Sequence, residues 1–330
     1  MAAKAPDYQP LDREGHSTVR VGDYLYMWGG GQPGLLGLLN NEKKKSMCSV
    51  MEVYHLRTGR WEQKPTTGNP PLGNPPLDVK SYAAAAIGRE IFYFGGYCNH
   101  DNCCHNSLYS FNVDTFNWKE LSPTTSHHGP MMKAYCGMIA IKVNGKDYLV
   151  VIGGSGPSSN NTPKQPGAQY SEAKGIASSR QRCNEIHFYK LSTGQWISPT
   201  VTGDRPLPID EFTLTSINNS SAILFGGDTD SGESNNVYIL NFTDTSVNCS
   251  KLSNPGGLVQ WPEERHSHSS VLINTSSGPH LLVVGGGDTS DIWIFDINNK
   301  SWKELWVSFV RPNFRFLGGN PTSWVLFLSF

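Results

Sequence analysis

One short pattern occurs five times in the chain, namely a hydrophobic run that ends in two consecutive glycines. The five copies are YLYMWGG (24–30), IFYFGG (91–96), YLVVIGG (148–154), AILFGG (222–227) and LLVVGG (281–286). Runs this rich in aromatic and aliphatic residues are typical of buried strands. Paired glycines let a strand end in a backbone conformation that is closed to residues with a Cβ, and they leave room for close packing. The predicted structural glycines are Gly29, Gly30, Gly95, Gly96, Gly153, Gly154, Gly226, Gly227, Gly285 and Gly286.

A second strand follows each Gly pair, and in four copies an aromatic residue on it lies seven residues before a tryptophan. These pairs are Tyr54 and Trp61, Phe111 and Trp118, Tyr189 and Trp196, and Phe295 and Trp302. The fourth copy has Leu240 and Val247 at these positions. Turns such as RTGRW and STGQW predict hairpin tips. A sheet of this kind has two apolar faces, and radial stacking against neighbouring sheets buries both, which predicts a β-propeller.

The sequence of strand, Gly pair, loop, aromatic residue and Trp resembles the Kelch repeat, from about Gly15 to Leu305. The triplets GHS (15–17) and RHS (265–267) are similar to the opening of that repeat. The resemblance implies an all-β fold, a Kelch-type β-propeller of four-stranded antiparallel blades.

The repeats also predict how the chain is divided. We expect an N-terminal extension at 1–12, five repeats at 13–305 and a partial or divergent sixth repeat at 306–330. Within this last part, SWVLFLSF (323–330) would be the second strand of an incomplete blade. Kelch propellers usually close with about six blades, so we expect a ring that the chain does not complete.

Composition excludes several classes of partner. The formal net charge is -1 and no long basic stretch occurs, which argues against binding of nucleic acid. The first 15 residues contain no apolar core of a signal peptide, and the seven cysteines are odd in number, as a reducing compartment allows. We therefore expect a cytoplasmic or nuclear protein with no membrane partner and no cofactor.

Long loops are predicted to gather on one face, because the loop between the second and third strands emerges beside the connection between blades. Loops on a rigid scaffold are the usual carriers of binding. One of them, the insertion at 155–184, is rich in Ser, Asn, Gln, Gly and Pro, and we expect it to be mobile. The loop face is predicted to comprise 31–50, 97–106, 155–184 and 228–236 with the connections 65–78, 121–133, 198–211 and 253–265.

Charged and aromatic residues on this face are the candidate contacts for a partner. Trp261 is either an interface anchor, as exposed Trp often is, or a residue that packs beneath its loop. The triplet EER (263–265) predicts a local ion pair, which would contribute little. The candidate binding residues are His100, His105, His127, His128, Lys133, Arg205, Trp261 and Arg265.

A cysteine and histidine cluster in GGYCNHDNCCHNSL (95–108) is a weak candidate metal site. Thiolate and imidazole ligands suit zinc, but adjacent cysteines rarely bind one ion and no second CxxC completes a tetrahedral site. We therefore interpret the cysteines as free thiols in a polar loop. The candidate ligands are Cys98, Cys103, Cys104 and His105.

The function predicted from these features is a non-catalytic module that binds a protein or peptide through the loop face. No GxSxG elbow, HExxH motif or phosphate-binding loop is present, so we expect no enzyme. A metal-dependent Kelch enzyme is the least favoured alternative, because no Tyr, His and Cys arrangement matches those enzymes.

A second alternative follows from HLRTGRWEQKPTTGNPP (55–71) and the enlarged third repeat, which are similar to the Kelch-domain-containing group that includes substrate receptors of cullin-RING ubiquitin ligases. The resemblance implies arginines that bind a peptide's C-terminal carboxylate. Here Ile209 to Phe212, with Asp210 and Glu211 between them, occupy that region, while Lys133 corresponds to a basic pocket residue. Acidic residues repel a carboxylate, and we expect no adaptor-binding helical segment after the propeller.

Overall fold

Two compact units make up the chain in the computed structural model, which describes residues 8–32, 49–68, 79–98, 103–122, 129–158, 163–173, 180–287 and 289–306. The first unit contains residues 1–134 and 161–163, and the second contains residues 135–160 and 164–330. The described residues form strands and turns with no helix, and none of them lies in a helix that is able to cross a membrane. The proposed strand at 323–330 lies outside the described residues.

The first blade is a four-stranded antiparallel sheet in which the strands follow chain order. Short turns join β1 to β2 and β3 to β4, while the Gly pair ends β2. Its strands are β1 (Ser17–Val21), β2 (Tyr24–Trp28), β3 (Val50–His55) and β4 (Arg60–Pro65).

The second blade repeats this order, and the connection from the first blade adds a fifth strand to it, paired parallel with the outermost strand. Three short strands, β6, β9 and β10, form a separate small sheet. The strands of this region are β5 (Thr67–Gly68), β6 (Val79–Lys80), β7 (Ala83–Ile87), β8 (Glu90–Phe94), β9 (Tyr97–Cys98), β10 (Cys103–Cys104), β11 (Leu108–Asn112) and β12 (Asn117–Ser122).

In the second unit, the third blade is a four-stranded sheet of β13, β14, β18 and β19. The strands β15, β16 and β17 form a small antiparallel sheet within the insertion that follows the third Gly pair. The strands are β13 (Gly137–Val143), β14 (Lys146–Ile152), β15 (Ser155–Pro157), β16 (Tyr170–Glu172), β17 (Arg180–Cys183), β18 (Ile186–Lys190) and β19 (Gln195–Ile197).

The fourth blade also gains a parallel outer strand, β20, and the fifth is again four-stranded. The strands are β20 (Thr200–Gly203), β21 (Thr213–Asn218), β22 (Ser221–Phe225), β23 (Asp228–Thr229), β24 (Gly232–Glu233), β25 (Val237–Phe242), β26 (Ser246–Leu252), β27 (Ser269–Thr275), β28 (Gly278–Gly286), β29 (Thr289–Asp296) and β30 (Ser301–Glu304). The predicted all-β fold of four-stranded antiparallel sheets is confirmed.

Aromatic residues fill the space between sheets, as the sequence predicts. Trp28 of the first blade packs against Trp118 of the second, with ring centroids 4.8 Å apart. Within a blade, the predicted partners lie directly opposite each other, as Tyr54 and Trp61 do at 5.0 Å between centroids. The other three pairs have the same register, with centroids 4.9 to 5.0 Å apart.

The fourth blade corrects one detail of this pattern. Leu240 does occupy the aromatic position, but the residue opposite it is Cys249, whereas Val247 lies opposite Phe242. The hairpin is longer here, because the strands continue by one further pair, Phe242 opposite Val247, before the turn closed by Thr243 and Ser246. A spacing of seven residues therefore identifies the wrong partner in this blade.

The insertion corrects a second expectation. We expected 155–184 to be mobile, yet its described part forms the sheet of β15, β16 and β17. The side chain of Gln165 is buried and bonds both the carbonyl and the N–H of Ile186. Polar side chains that satisfy backbone groups hold this segment in place, and hydrophobic periodicity does not detect such contacts.

Candidate functional site

Each sheet has two distinct ends. We call the end at which the Gly pair lies the Gly-pair end, and the end with the tight turns the hairpin end. At the Gly-pair end, the residue shortly before each first strand has a left-handed backbone with φ between 54° and 61°. A non-glycine residue in this conformation costs roughly 1–2 kcal/mol, and such residues cluster at functional sites. The five residues are Gly15, Ser81, Tyr135, Glu211 and Ser267.

Within the second unit these left-handed residues are bonded to one another. The N–H of Glu211 donates to the carbonyl of Tyr135 at 3.2 Å, and the N–H of Ser267 donates to the carbonyl of Glu211 at 2.9 Å. The three first strands that follow them lie side by side. Side chains from consecutive blades are therefore held in a fixed order at this end of the unit.

The Gly pairs fix the spacing between one blade and the next. The N–H of Gly227 donates to the carbonyl of Arg265 at 2.9 Å. A Cβ at Gly227, where φ is 101°, would stand 2.8 Å from the carbonyl oxygen of Asp210. Only glycine permits this approach, so the glycines of one blade position the residues before the first strand of its neighbours.

Arg182 links the insertion to the fourth blade. Its Nε donates to Asp210 Oδ1 at 2.7 Å, and its terminal nitrogen bonds Asp228. Only 9% of the Arg182 side chain and 6% of the Asp210 side chain are exposed. Burial raises the pKa of Asp210. Removing one partner of such a pair leaves a buried charge without compensation, which is strongly destabilising.

Glu211 lies beside this pair and contacts the fifth blade. His266 Nδ1 is 2.8 Å from Glu211 Oε2, and the hydroxyl of Ser267 donates to the same oxygen. On its other side, His266 Nε2 is 3.5 Å from the Glu233 carboxylate. The hydrogen bond to Glu211 raises the pKa of His266 against the opposing effect of burial. Although burial acts to raise it, the bonds from His266 and Ser267 lower the pKa of Glu211.

These contacts define a charged cluster made of Arg182, Asp210, Glu211, Asp228, Glu233 and His266. Four carboxylates face one guanidinium and one imidazole, so negative charge is in excess even when His266 is protonated. Carboxylate oxygens accept hydrogen bonds and attract cations, and they repel other carboxylates. The cluster therefore suits a ligand that brings N–H donors.

Among the described residues, no group of three or more His, Cys, Asp or Glu has the arrangement of a metal site. Cys98 is disulfide-bonded, so the interpretation as free thiols is wrong for this residue. Cys104 is a buried thiol. Three of the predicted loop residues, His100, His127 and His128, lie outside the described residues.

Two further predicted contacts have main-chain roles at the junction that follows the second blade. The N–H of Lys133 donates to the carbonyl of His105 at 2.9 Å, and its own carbonyl accepts from the N–H of Gly96 at 2.9 Å. The Lys133 side chain is fully buried. Its role in recognition, like that of His105, stays a prediction.

Arg205 is half-buried and holds the insertion against the connection before the fourth blade. Its guanidinium donates to the carbonyl of Gly167 at 2.7 Å, to Gln165 Oε1 at 2.8 Å and to the carbonyl of Asn184 at 3.0 Å. Burial lowers the pKa of Arg205. These bonds explain why the polar insertion is ordered next to Arg205, and a direct contact of Arg205 with a partner stays a prediction.

The predicted local ion pair within EER (263–265) is wrong, because Arg265 pairs with Asp291. Arg265 is fully buried and donates through both terminal nitrogens to Asp291, at 2.6 and 2.9 Å. Its Nε bonds the main-chain carbonyl of Glu263, not the carboxylate. Although burial acts in the opposite direction, Arg265 lowers the pKa of Asp291. The carboxylate of Glu263 is left exposed at the surface.

Trp261 is partly buried. It combines the two alternatives that its sequence context allows, an exposed interface anchor and a residue that packs beneath its loop. Its indole N–H donates to the carbonyl of Asn235 at 2.8 Å, and its ring lies 6.2 Å from that of Trp302. The rest of the ring borders an open cleft at the surface. Trp261 therefore packs beneath its loop on one side and remains accessible on the other.

Sequence reasoning missed Arg182 and His266 as members of a common site. Arg182 lies in the polar insertion, where no periodic pattern predicts a strand. His266 belongs to the RHS triplet, which indicates the start of a repeat but does not show that its imidazole faces Glu211. A sequence signal did exist for Asp210 and Glu211, since they occupy the region in which the resemblance implies arginines.

Comparisons with known proteins agree with this architecture. A family model described as the KLHDC2/KLHL20/DRC7 Kelch-repeats domain matches residues 15–165 and 174–317. Kelch domain-containing protein 2 of Bos taurus is 25% identical over 317 residues, which cover 92% of this chain and 70% of that protein. Kelch domain-containing protein 1 of Mus musculus is 25% identical over 316 residues, covering 91% and 71%. Host cell factor of Drosophila melanogaster is 24% identical, covering 92% of this chain and 19% of that protein. The predicted Kelch-type β-propeller is thereby confirmed.

Proposed function

Since the chain belongs to the family of the KLHDC2/KLHL20/DRC7 Kelch-repeats domain, we propose that it is a non-catalytic interaction module. In this proposal a protein or peptide binds across the Gly-pair ends of the sheets. Kelch domains generally bind proteins, and the similarity to host cell factor supports the same type of role.

The charged cluster is the observation that carries this proposal. Four segments that are distant in sequence supply it, namely the insertion, the start of the fourth blade, the start of the fifth blade and the loop after β22. Glu211 and Ser267 are held in place by their own left-handed backbone conformation before any ligand binds. A preorganised polar surface binds with a smaller entropic cost than one that must first order itself.

The excess of carboxylates favours a particular ligand chemistry. A peptide that presents Arg, Lys, an amino terminus or unpaired amide N–H groups would supply the donors that Glu211 and Asp228 accept. A ligand anchored by a free C-terminal carboxylate would be repelled at the same place. We therefore propose a donor-rich ligand for the cluster.

The alternative, a substrate-recognition subunit of a cullin-RING ligase, has less support. Asp210 and Glu211 occupy the region in which the resemblance implies arginines, and Asp210 is engaged by Arg182. A receptor of this kind that recognises a donor-rich peptide remains compatible with the charged cluster. Recovery of elongin-like adaptors and a cullin with the chain would support this alternative.

Affinity purification from the native cells, followed by quantitative mass spectrometry, tests the proposal. A Glu211→Gln/Asp228→Asn variant removes two charges from the cluster and keeps the shape of both side chains. An Asp23→Asn/Asp114→Asn variant makes the same change at exposed positions of the hairpin end. We expect the first variant to lose at least tenfold of the specific partner and the second to retain it. Equal recovery with both, after circular dichroism has shown that both are folded, would overturn the proposal.

A further inference from the structure

The connection between the fourth and fifth blades places apolar side chains in solvent. Leu258 is fully exposed and Val259 is 55% exposed, directly after Gly256 and Gly257. Single apolar residues at a surface are ordinary, whereas contiguous exposed apolar surface marks sites of interaction. We call Leu258 and Val259 the apolar tip.

An open cleft of about 630 Å³ is formed in part by the same connection. Its walls are held by hydrogen bonds between loops, since Trp261 donates to the carbonyl of Asn235 at 2.8 Å and Asn235 Nδ2 donates to the carbonyl of Pro262 at 3.0 Å. We call it the Trp261 cleft. Its lining includes Glu233, Asn235, Asn254, Trp261, Glu263 and Glu264.

The Trp261 cleft carries negative charge. Glu263 and Glu264 are exposed, and within the described part of the chain neither carboxylate forms an ion pair. Glu233 belongs both to the cleft lining and to the charged cluster, where its carboxylate is 3.5 Å from His266 Nε2. The nearest cation in sequence, Arg265, is buried and paired with Asp291. The field in the cleft therefore attracts a cation and repels phosphate and carboxylate.

We propose that the Trp261 cleft and the apolar tip form a second docking surface, for a short basic and apolar segment of a protein partner. A Lys or Arg side chain enters the cleft, where its charge faces Glu263 and Glu264. Its methylenes and charge contact the ring of Trp261, as long cationic side chains commonly do. A neighbouring Leu, Ile, Val or Phe of the same segment covers Leu258 and Val259.

This inference rests on the proposed function in taking the chain to be an interaction module, but it concerns different residues. Leu258, Val259, Glu263 and Glu264 form no part of the charged cluster, and Glu233, which belongs to both surfaces, is left unchanged in every variant. Variants are therefore able to remove either surface while leaving the other in place.

Selection of heptapeptides from a random phage-displayed library, on the immobilised full chain, identifies the preferred segment. We expect the enriched peptides to combine Lys or Arg with an aliphatic or aromatic neighbour. The synthetic consensus peptide, labelled with fluorescein, then serves as the probe in fluorescence polarisation. Its binding is expected to weaken as salt is raised from 50 to 300 mM, because exposed charges are screened.

Variants locate the binding of this probe. Affinity is expected to fall at least tenfold in Glu263→Gln/Glu264→Gln and again in Leu258→Ser/Val259→Ser, both of which alter exposed side chains that the fold does not use. The hairpin-end control Asp23→Asn/Asp114→Asn should bind as the parent chain does. Retained affinity in the first two variants, or a consensus without basic residues, would overturn the inference.

The outcomes also separate this inference from the proposed function. Peptides whose affinity depends on Glu211 and Asp228, but not on Glu263 and Glu264, would contradict the second surface and support the charged cluster. Binding that depends on neither pair, or a failure to enrich any peptide, would count against both.

Discussion

The two ends of the sheets use charge in different ways. At the hairpin end, ion pairs join exposed side chains across neighbouring turns of one blade, as in Arg57 and Asp23 at 2.8 Å, where 76% of the arginine side chain is exposed. At the Gly-pair end, Arg182 and Arg265 are buried and bond carboxylates through defined nitrogens. Exposed pairs contribute little to stability, whereas buried ones cannot lose a partner without a large cost. Charged side chains from different blades and from the insertion thus converge at the Gly-pair end.

The glycines of the two ends differ in the same way. Gly88, in the turn between β7 and β8, has φ of 60° and open space where a Cβ would be. Gly95, in the Gly pair of the same blade, has φ of 69°, and its Cβ would stand 2.5 Å from the carbonyl oxygen of Lys133. A hairpin glycine therefore serves its own turn, while a paired glycine determines how the next segment is positioned.

The largest expected effect concerns the two arginines. Arg265→Met should lower the free energy of unfolding by about 3–5 kcal/mol, because Asp291 would remain partly buried without its cation. Arg57→Met, the matched change at the hairpin end, should cost less than about 1 kcal/mol. Urea unfolding of both variants measures this difference. Similar losses of unfolding free energy in Arg265→Met and Arg57→Met would contradict the claim that ion pairs at the two ends of the sheets differ.

A second comparison uses the glycines of the second blade. Gly95→Ala should cost about 3 kcal/mol, since the strain of the left-handed backbone adds to the clash with Lys133. Gly88→Ala carries the strain without the clash and should cost about 1 kcal/mol. Thermal unfolding followed by circular dichroism compares the two. If the Gly95→Ala variant were as stable as the Gly88→Ala variant, the close approach to the Lys133 carbonyl would not be the reason that Gly95 has to be glycine.

Buried histidine at the Gly-pair end predicts a dependence on pH. Burial lowers the pKa of His268 to about 3, below the value of about 6.5 in the unfolded chain. Between these values only the unfolded chain binds the proton, so stability is full above pH 6.5 and falls as pH is lowered. Each pH unit should cost up to about 1.4 kcal/mol. Urea unfolding at pH 7 and 5 should show a smaller loss in His268→Gln than in the parent; an equal loss would contradict this.

His266 should have the opposite and smaller effect. Glu211, Glu233 and Asp228 face its imidazole, and the raised pKa means that the stability it contributes is present below pH 6.5 and lost as pH rises through the folded value. Nuclear magnetic resonance titration should give a pKa above that of a free imidazole, and Glu211→Gln should lower it. An unchanged pKa of His266 in the Glu211→Gln variant would contradict the contact between His266 and Glu211 in the charged cluster.

The parts of the fold that the sequence predicts are those set by local spacing. The Gly pairs and the aromatic and Trp partners are each defined by residues a few positions apart, and their register is as predicted in four blades. The exception follows from one additional strand pair, Phe242 and Val247, which places Cys249 opposite Leu240. A spacing rule has no means of detecting a hairpin that lengthens.

The charged cluster was not predictable to the same extent, because its contacts join distant segments. Arg265, outside the cluster, shows the same: it directly follows two acidic residues, yet it pairs with Asp291, 26 residues further along the chain. Arg182 reaches Asp210 and Asp228 from an insertion without hydrophobic periodicity. Sequence identifies which charges are present, whereas the folded backbone decides which of them meet.

Hydrogen–deuterium exchange of the full chain, with and without its tightest displayed peptide, tests most directly whether recognition belongs to the Gly-pair end. We predict protection in peptides covering 209–213, 226–234 and 263–268, with no change at the hairpin tips 56–59, 114–116 and 191–194. Protection confined to the hairpin tips would contradict the proposal that partners bind across the Gly-pair ends.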